Sequence, residues 1–264
     1  MRPKGRLDDP GKLTLEWGDS YARKLWDSIF SKFNVEWSGV RVMDFGCMWG
    51  YLAKFFLEEK GVEESYGVDK SPKWEDMSDD WDFTSIPNLH LHAGDVTQIE
   101  ELQDKKFDII TSCGTIFLIE PTKLEEILVW MYDHLKPGGN LLIQTRTFFS
   151  YNGGDLQNIT TIPIPHVIFN KNIVDEFVSS KNNEGRVSKY MSPMSSTAYL
   201  MLFHRAGFEI IDVRRGQTGI DNDSVFKMFR EKIWYYSTDD LRTGDIYVHL
   251  MKPEVERDIS EMRE

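Results

Sequence analysis

Nine consecutive residues, Val42-Met43-Asp44-Phe45-Gly46-Cys47-Met48-Trp49-Gly50, carry the first chemistry in this chain. A short apolar run stops at Gly46, and glycines at 46 and 50 let the backbone turn sharply and approach a ligand closely. A helix starting directly after such a turn aims its first amides at that ligand and favours negative charge there. Asp69 closes a second apolar segment, at roughly the 20-residue spacing of an acid that accepts hydrogen bonds from ribose hydroxyls. One carboxylate has lone pairs for both. Asp95, in Ala93-Gly94-Asp95-Val96, closes a third segment, where an adenine amine could be read. Leu135-Lys136-Pro137-Gly138-Gly139 ends a helix and enters a further strand. A tight turn or a solvated acid explains any one of these features. Their order at successive strand ends points instead to one cofactor site.

The elements that must position these residues follow from hydrophobic period. Leu15 to Phe33 reads as a helix, with Leu15, Tyr21, Leu25, Ile29 and Phe33 at helical spacing. Strands are expected at 40–45, 65–68, 89–92, 107–111 and 141–145, with helices at 51–59 and 124–135. Strands alternating with helices imply a parallel sheet covered on both faces. Right-handed crossovers wind it into an α/β, Rossmann-like fold. From Arg146 to Met194 the periodicity fails, around Asn152-Gly153-Gly154 and Pro163-Ile164-Pro165. A long irregular stretch inside a compact domain is usually functional or disordered, and its apolar content argues against disorder. Regular pattern returns with a helix at 196–206 closed by Gly207, a strand at 208–213, a helix at 223–234 and a strand at 246–251. One domain, 1–264, is expected, with 146–194 as a lid over an acceptor.

These motifs resemble those of the class I S-adenosylmethionine-dependent methyltransferases, over about Leu15 to Val213 and the closing strand. The segment from Asp44 through Gly46, Cys47 and Met48 to Gly50 looks like the family's cofactor loop. Asp69, followed by Lys70, matches the ribose acid. Gly94-Asp95-Val96 matches the adenine-contacting segment. The fourth-strand motif Phe107 to Ser112 would put Ser112 and Cys113 beside the methyl donor. The resemblance implies S-adenosyl-L-methionine as cofactor, and the sequence offers no metal-ligand set. The resemblance also implies a seven-stranded sheet in the order 3-2-1-4-5-7-6, the last strand antiparallel. One departure stands in the loop, where Met48 replaces a glycine common in the family and narrows the methionine end of the pocket. A non-catalytic cofactor-binding descendant is the alternative from another class.

The acceptor side is less legible. Thr161 to His166 and Tyr190 to Ser195 loosely resemble methyltransferases of sugars and small hydroxylated metabolites, implying a small-molecule acceptor methylated at a hydroxyl oxygen. Methyl transfer is an in-line displacement, and a weakly acidic hydroxyl needs a base. Histidine titrates near neutrality. His166 is the histidine inside the irregular segment and is the first candidate base, with Asp155 and Tyr190 behind it. Arg146 is a candidate to orient an acidic acceptor. Methylation of nitrogen, on a small molecule or a protein, stays open.

The net charge of -12 argues against nucleic acid and against an anionic membrane as partners. The charged start of the chain has no apolar leader core, and Cys47 and Cys113 fit two free thiols in a reducing cytoplasm. A nicotinamide dehydrogenase would show Gly-x-Gly-x-x-Gly, which Asp44 and Met48 break.

Overall fold

A computed structural model describes residues 15–71, 83–151, 153, 156, 159–162, 164–181, 191–217 and 227–255. The chain packs as two compact units. The described residues up to Cys113, with Trp130–Leu142 and those from Met251, form the first. Gly114–Val129 and Ile143–Leu250 form the second.

In the first unit, β1 (Arg41–Phe45) lies parallel to β2 (Glu64–Asp69) and to β4 (Phe107–Cys113), and β3 (Leu89–Ala93) lies parallel to β2. Four consecutive residues of β1, Val42 to Phe45, are buried, as in a central strand covered on both faces. Two helices, α1 (Leu15–Ser28) and α2 (Tyr51–Lys60), pack together. Leu52, Phe55 and Phe56 of α2 are buried at helical spacing, and Gly61 closes it in the left-handed conformation at φ 67°. Trp37 stacks on Phe56 at 4.9 Å. Gly67 in mid-strand has a steric reason. A Cβ there would lie 2.7 Å from Leu91 and 2.9 Å from the Cys47 sulfur, so a glycine makes room for both.

The remaining elements are α3 (Pro121–His134), β5 (Leu135–Arg146), α4 (Pro165–Ile168), α5 (Lys171–Ser180), α6 (Ser196–Arg205), β6 (Glu209–Gln217), α7 (Arg230–Ile233), α8 (Thr238–Arg242) and β7 (Thr243–Met251). The sheet order is β3-β2-β1-β4-β5-β7-β6, as the resemblance implied. Gly138 N–H donates to the Lys252 carbonyl and Thr147 N–H to the Gly244 carbonyl. Ascending numbers on one strand meet descending numbers on the other, so β7 runs antiparallel to β5.

Several boundaries differ from the sequence reading. β5 begins at Leu135, where the sequence suggests a helix end and turn, because Gly138 and Gly139 exchange backbone bonds with Lys252. α1 stops at Ser28, and a single 3-10 turn, Phe30–Lys32, carries Phe30 into the core. Among its described residues the irregular segment contains two helices, α4 and α5, and its core joins distant residues: Phe149, Ile164, Val167, Ile168, Ile233 and Leu241 pack as one cluster. Of the helix expected at 223–234, residues 223–226 lie outside the described residues, and α7 is a single turn.

Candidate active site

The cofactor loop is built by backbone hydrogen bonds. Past β1, the amides of Gly46 and Cys47 both donate to the Val68 carbonyl, at 2.7 and 3.2 Å, which hooks the loop over the end of β2. Gly50 N–H then donates to the Cys47 carbonyl at 2.9 Å and leads into α2. Gly50 sits at φ 79°, and a Cβ there would come within 2.9 Å of Leu91. Glycine is therefore required at 50 by conformation and by space.

Met48 adopts φ 52°, the same left-handed region, although it carries a side chain. That conformation costs an L-residue about 1–2 kcal/mol. The loop accepts the strain because Met48 N–H donates to Asp69 Oδ2 at 2.9 Å. Ser71 N–H donates to Asp69 Oδ1 at 2.8 Å. Two amides thus fix the Asp69 carboxylate from opposite sides, and each oxygen keeps a further lone pair. The Met48 side chain itself is 44% exposed, so shortening it removes little packing. Met48→Gly is expected to raise unfolding stability by about 1 kcal/mol, the relief of a left-handed residue net of glycine's entropy. Denaturant unfolding checks this, and a less stable variant would contradict it.

Asp44 is buried on β1 and accepts a hydrogen bond from Thr111 Oγ1 at 2.9 Å. Burial pushes its carboxyl up to about 7; the Thr111 bond opposes this and the charge of Asp69 adds to it. Two neighbouring acids in a site poor in solvent are relieved by a cationic ligand. Gly94 N–H donates to the Asp69 carbonyl at 2.9 Å, tying the third strand end to the second. Asp95 has a structural role of its own. Its Oδ1 accepts from Thr97 N–H and Thr97 Oγ1, capping the 3-10 turn that begins at the buried Val96. Ser112 pairs with Phe45 across β1 and β4, and its Oγ is buried with no partner among the described residues. Cys47 is buried, and that burial pushes its thiol pKa well up; Cys113 is half-buried, and both are free thiols. Lys70 is exposed.

This donor set fits S-adenosylmethionine. The glycine turn lets the backbone come close to a ligand, the oriented Asp69 suits a ribose diol, the paired acids suit positive charge, and the orphaned Ser112 hydroxyl offers one more polar contact.

Among the candidate bases, Asp155 and Tyr190 lie outside the described residues. His166 sits on α4. Its Nε2–H donates to the Phe148 carbonyl, its ring meets Phe148 edge-on at 5.1 Å, and Nδ1 is buried without a partner among the described residues. A Cβ on Gly153 would fall 2.1 Å from that nitrogen, so Gly153 lies flat against it. Burial lowers the His166 pKa, against the Phe148 bond, so the ring is neutral at pH 7.

Arg146, a candidate from the sequence, belongs to a second polar group whose other members, Gln144 and Asp245, went unread there. The antiparallel pairing sets Asp245 of β7 beside Arg146 at the end of β5. Gln144 Nε2 donates to Asp245 Oδ1 at 3.1 Å, and the Arg146 guanidinium lies 4.9 Å over the Phe117 ring. Burial raises the Asp245 pKa, opposed by Arg146 and by the Gln144 bond. The partners are 101 residues apart in the chain, so neither period nor motif joins them.

Comparison with known proteins agrees with this geometry. A family described as "Methyltransferase domain" matches residues 16–213. No curated protein matches the sequence. Among solved structures, an S-adenosylmethionine-dependent methyltransferase from Mesorhizobium loti is similar at TM-score 0.56 and 18% identity, covering 89% of this chain and 99% of that one. Phosphoethanolamine N-methyltransferase 2 of Haemonchus contortus, in complex with S-adenosyl-L-methionine, is similar at TM-score 0.54 and 18% identity, over 96% of this chain and 61% of that one. The [4+2]-cyclase SpnF shares the fold at TM-score 0.53 and 15% identity, over 94% of this chain and 86% of that one. The family match spans most of the chain, and the sheet order is that of its fold: the protein belongs to the methyltransferase-domain family, the class I S-adenosylmethionine-dependent methyltransferases.

Proposed function

We propose that this methyltransferase acts on a small hydroxylated molecule, transferring the methyl group to oxygen, as a single domain in which residues 146–194 cover the acceptor. The observation that carries this reading is the group Gln144, Arg146 and Asp245. It stands at the carboxyl end of β5, the edge of an open α/β sheet where ligands bind. A carboxylate, an amide and a guanidinium within reach of one another are suited to orienting hydroxyls. The cofactor supplies a methyl group on a positively charged sulfur. The protein's part is to bind, align and keep water out, and to take the hydroxyl proton. His166 is the proposed base: Nε2–H is committed to Phe148, which leaves the Nδ1 lone pair as the acceptor, and Gly153, which lies against that nitrogen, has to shift for a hydroxyl to reach it. Asp155 and Tyr190 are the reserves. The cofactor contacts are proposed for Asp44, Gly46, Cys47, Met48, Gly50, Asp69, Lys70, Gly94, Asp95, Val96, Ser112 and Cys113.

One observation favours a second reading. The half-buried Asp245 carboxylate would also pair with an ammonium group, which suits nitrogen methylation. Methyl-labelled S-adenosylmethionine, offered with a panel of sugars, polyols and amino alcohols, separates the two. Labelled methoxy products are expected. Products labelled only at nitrogen would overturn the oxygen assignment.

A further inference from the structure

Three consecutive residues of α1, Trp17, Gly18 and Asp19, each contact the cofactor loop or the helix that follows it. Trp17 meets Trp49 of the loop edge-on, ring centres 5.8 Å apart, and meets Tyr51 of α2 at 6.2 Å. Trp49 and Tyr51 lie 6.5 Å from one another. The three rings therefore close into a triangle, one each from α1, the loop and α2. Gly18 is the seat of Tyr51: a Cβ there would fall 1.7 Å from the tyrosine ring, so that ring lies directly against the backbone of α1. Asp19 Oδ1 accepts a hydrogen bond from Lys54 Nζ of α2 at 3.0 Å. Tyr21, one turn on, stacks on Trp17 at 5.2 Å and backs its ring. Trp49 and Tyr51 are buried, and Trp17 is half-buried.

We propose that Trp17 is a positioning residue for the cofactor loop: its ring holds Trp49, and through Trp49 the backbone of Met48 that donates to Asp69. Met48 carries the left-handed strain of the loop, at φ 52°. Relaxing it to an ordinary φ would swing its N–H off the Asp69 carboxylate and turn the next side chain, Trp49, out of its place. That turn would bring a buried indole into water and break its edge-on contact with Trp17. Burial and ring geometry thus oppose the release of Met48. Tyr51 opens the helix that grows out of the loop, whereas Trp17 stands on a separate helix tied to α2 by Asp19 and Lys54. Trp17 is therefore the outside point against which the loop is fixed, and an acceptor fixed in advance loses less on binding. The inference rests on the cofactor role proposed for Asp69 and is independent of the methyl acceptor.

Calorimetry with S-adenosylhomocysteine on the full-length protein tests it. Trp17→Ala is expected to weaken binding about tenfold, the scale of a pair of well-placed ring contacts. Trp17→Phe should stay within about twofold of wild type, because a phenyl ring still offers Trp49 an edge-on partner. Trp17→Leu keeps apolar bulk without a ring, so it keeps the test readable if the alanine variant unfolds, and it should lose about fivefold. The cycle with Asp69→Ala separates positioning from general support. If Trp17 acts by holding Met48 on Asp69, removing it from the Asp69→Ala variant costs less than about twofold. The full loss persisting in that background overturns the proposal and makes Trp17 a plain support of the fold. Unchanged affinity in Trp17→Ala overturns it too. Unchanged affinity in Asp69→Ala by itself fails the ribose role, and this inference falls with it.

Discussion

Asp69→Ala is expected to weaken S-adenosylmethionine binding by about 1.5–3 kcal/mol, roughly ten- to 150-fold, the scale of hydrogen bonds to a charged group. The carboxylate is held before any ligand arrives, by Met48 N–H on one oxygen and Ser71 N–H on the other. A pre-oriented acceptor loses little on binding, so its removal is felt nearly in full. The alanine variant also strips Met48 of the bond that offsets its left-handed strain, which loosens the loop as well. Asp69→Asn separates these effects. It keeps one oxygen for one amide but sets an NH2 group against the other, so affinity should fall almost as far. Calorimetry with S-adenosylhomocysteine reads both variants. Unchanged affinity in Asp69→Ala would remove the ribose role.

His166→Ala is expected to lower turnover by about 10²–10⁴, the usual contribution of a general base, with cofactor affinity nearly intact. Burial lowers the pKa of this histidine, so the base form is present at neutral pH and the acid limb of the rate profile lies below the ordinary histidine value. The same shift acts on stability. A folded-state pKa below the unfolded one means that the unfolded chain binds more protons, so stability is lost as pH falls through the unfolded value of 6.5. The alanine variant should lose that part of the acid sensitivity. Because Nε2–H also supports the Phe148 carbonyl, stability and turnover must be read together. If stability falls and turnover does not, His166 is a strut, and the proton passes to Asp155 or Tyr190.

Local sequence determined the cofactor half of this protein. The turn glycines, the buried run Val42–Phe45 and the acids closing β2 and β3 act through short-range rules of period and backbone freedom. Their spacing therefore carried the fold class without coordinates, and their resemblance to a known family's motifs carried the family and the cofactor. Met48 was legible as a departure from the loop pattern. That it takes the left-handed backbone of a glycine and hands its amide to Asp69 is a property of the folded loop alone. Tertiary structure decided the rest. Leu135 to Gly139 joined β5 because Lys252 pairs with them from the far end of the chain. Asp245 reached Gln144 through an antiparallel register that no local signal encodes. Trp234 and Tyr235 have the composition of core residues, yet Ile233 and Tyr236 occupy the inward positions of that segment and leave both rings in solvent. Residue type sets the free energy gained by burial, whereas the partner brought from elsewhere in the chain decides which side chains obtain it.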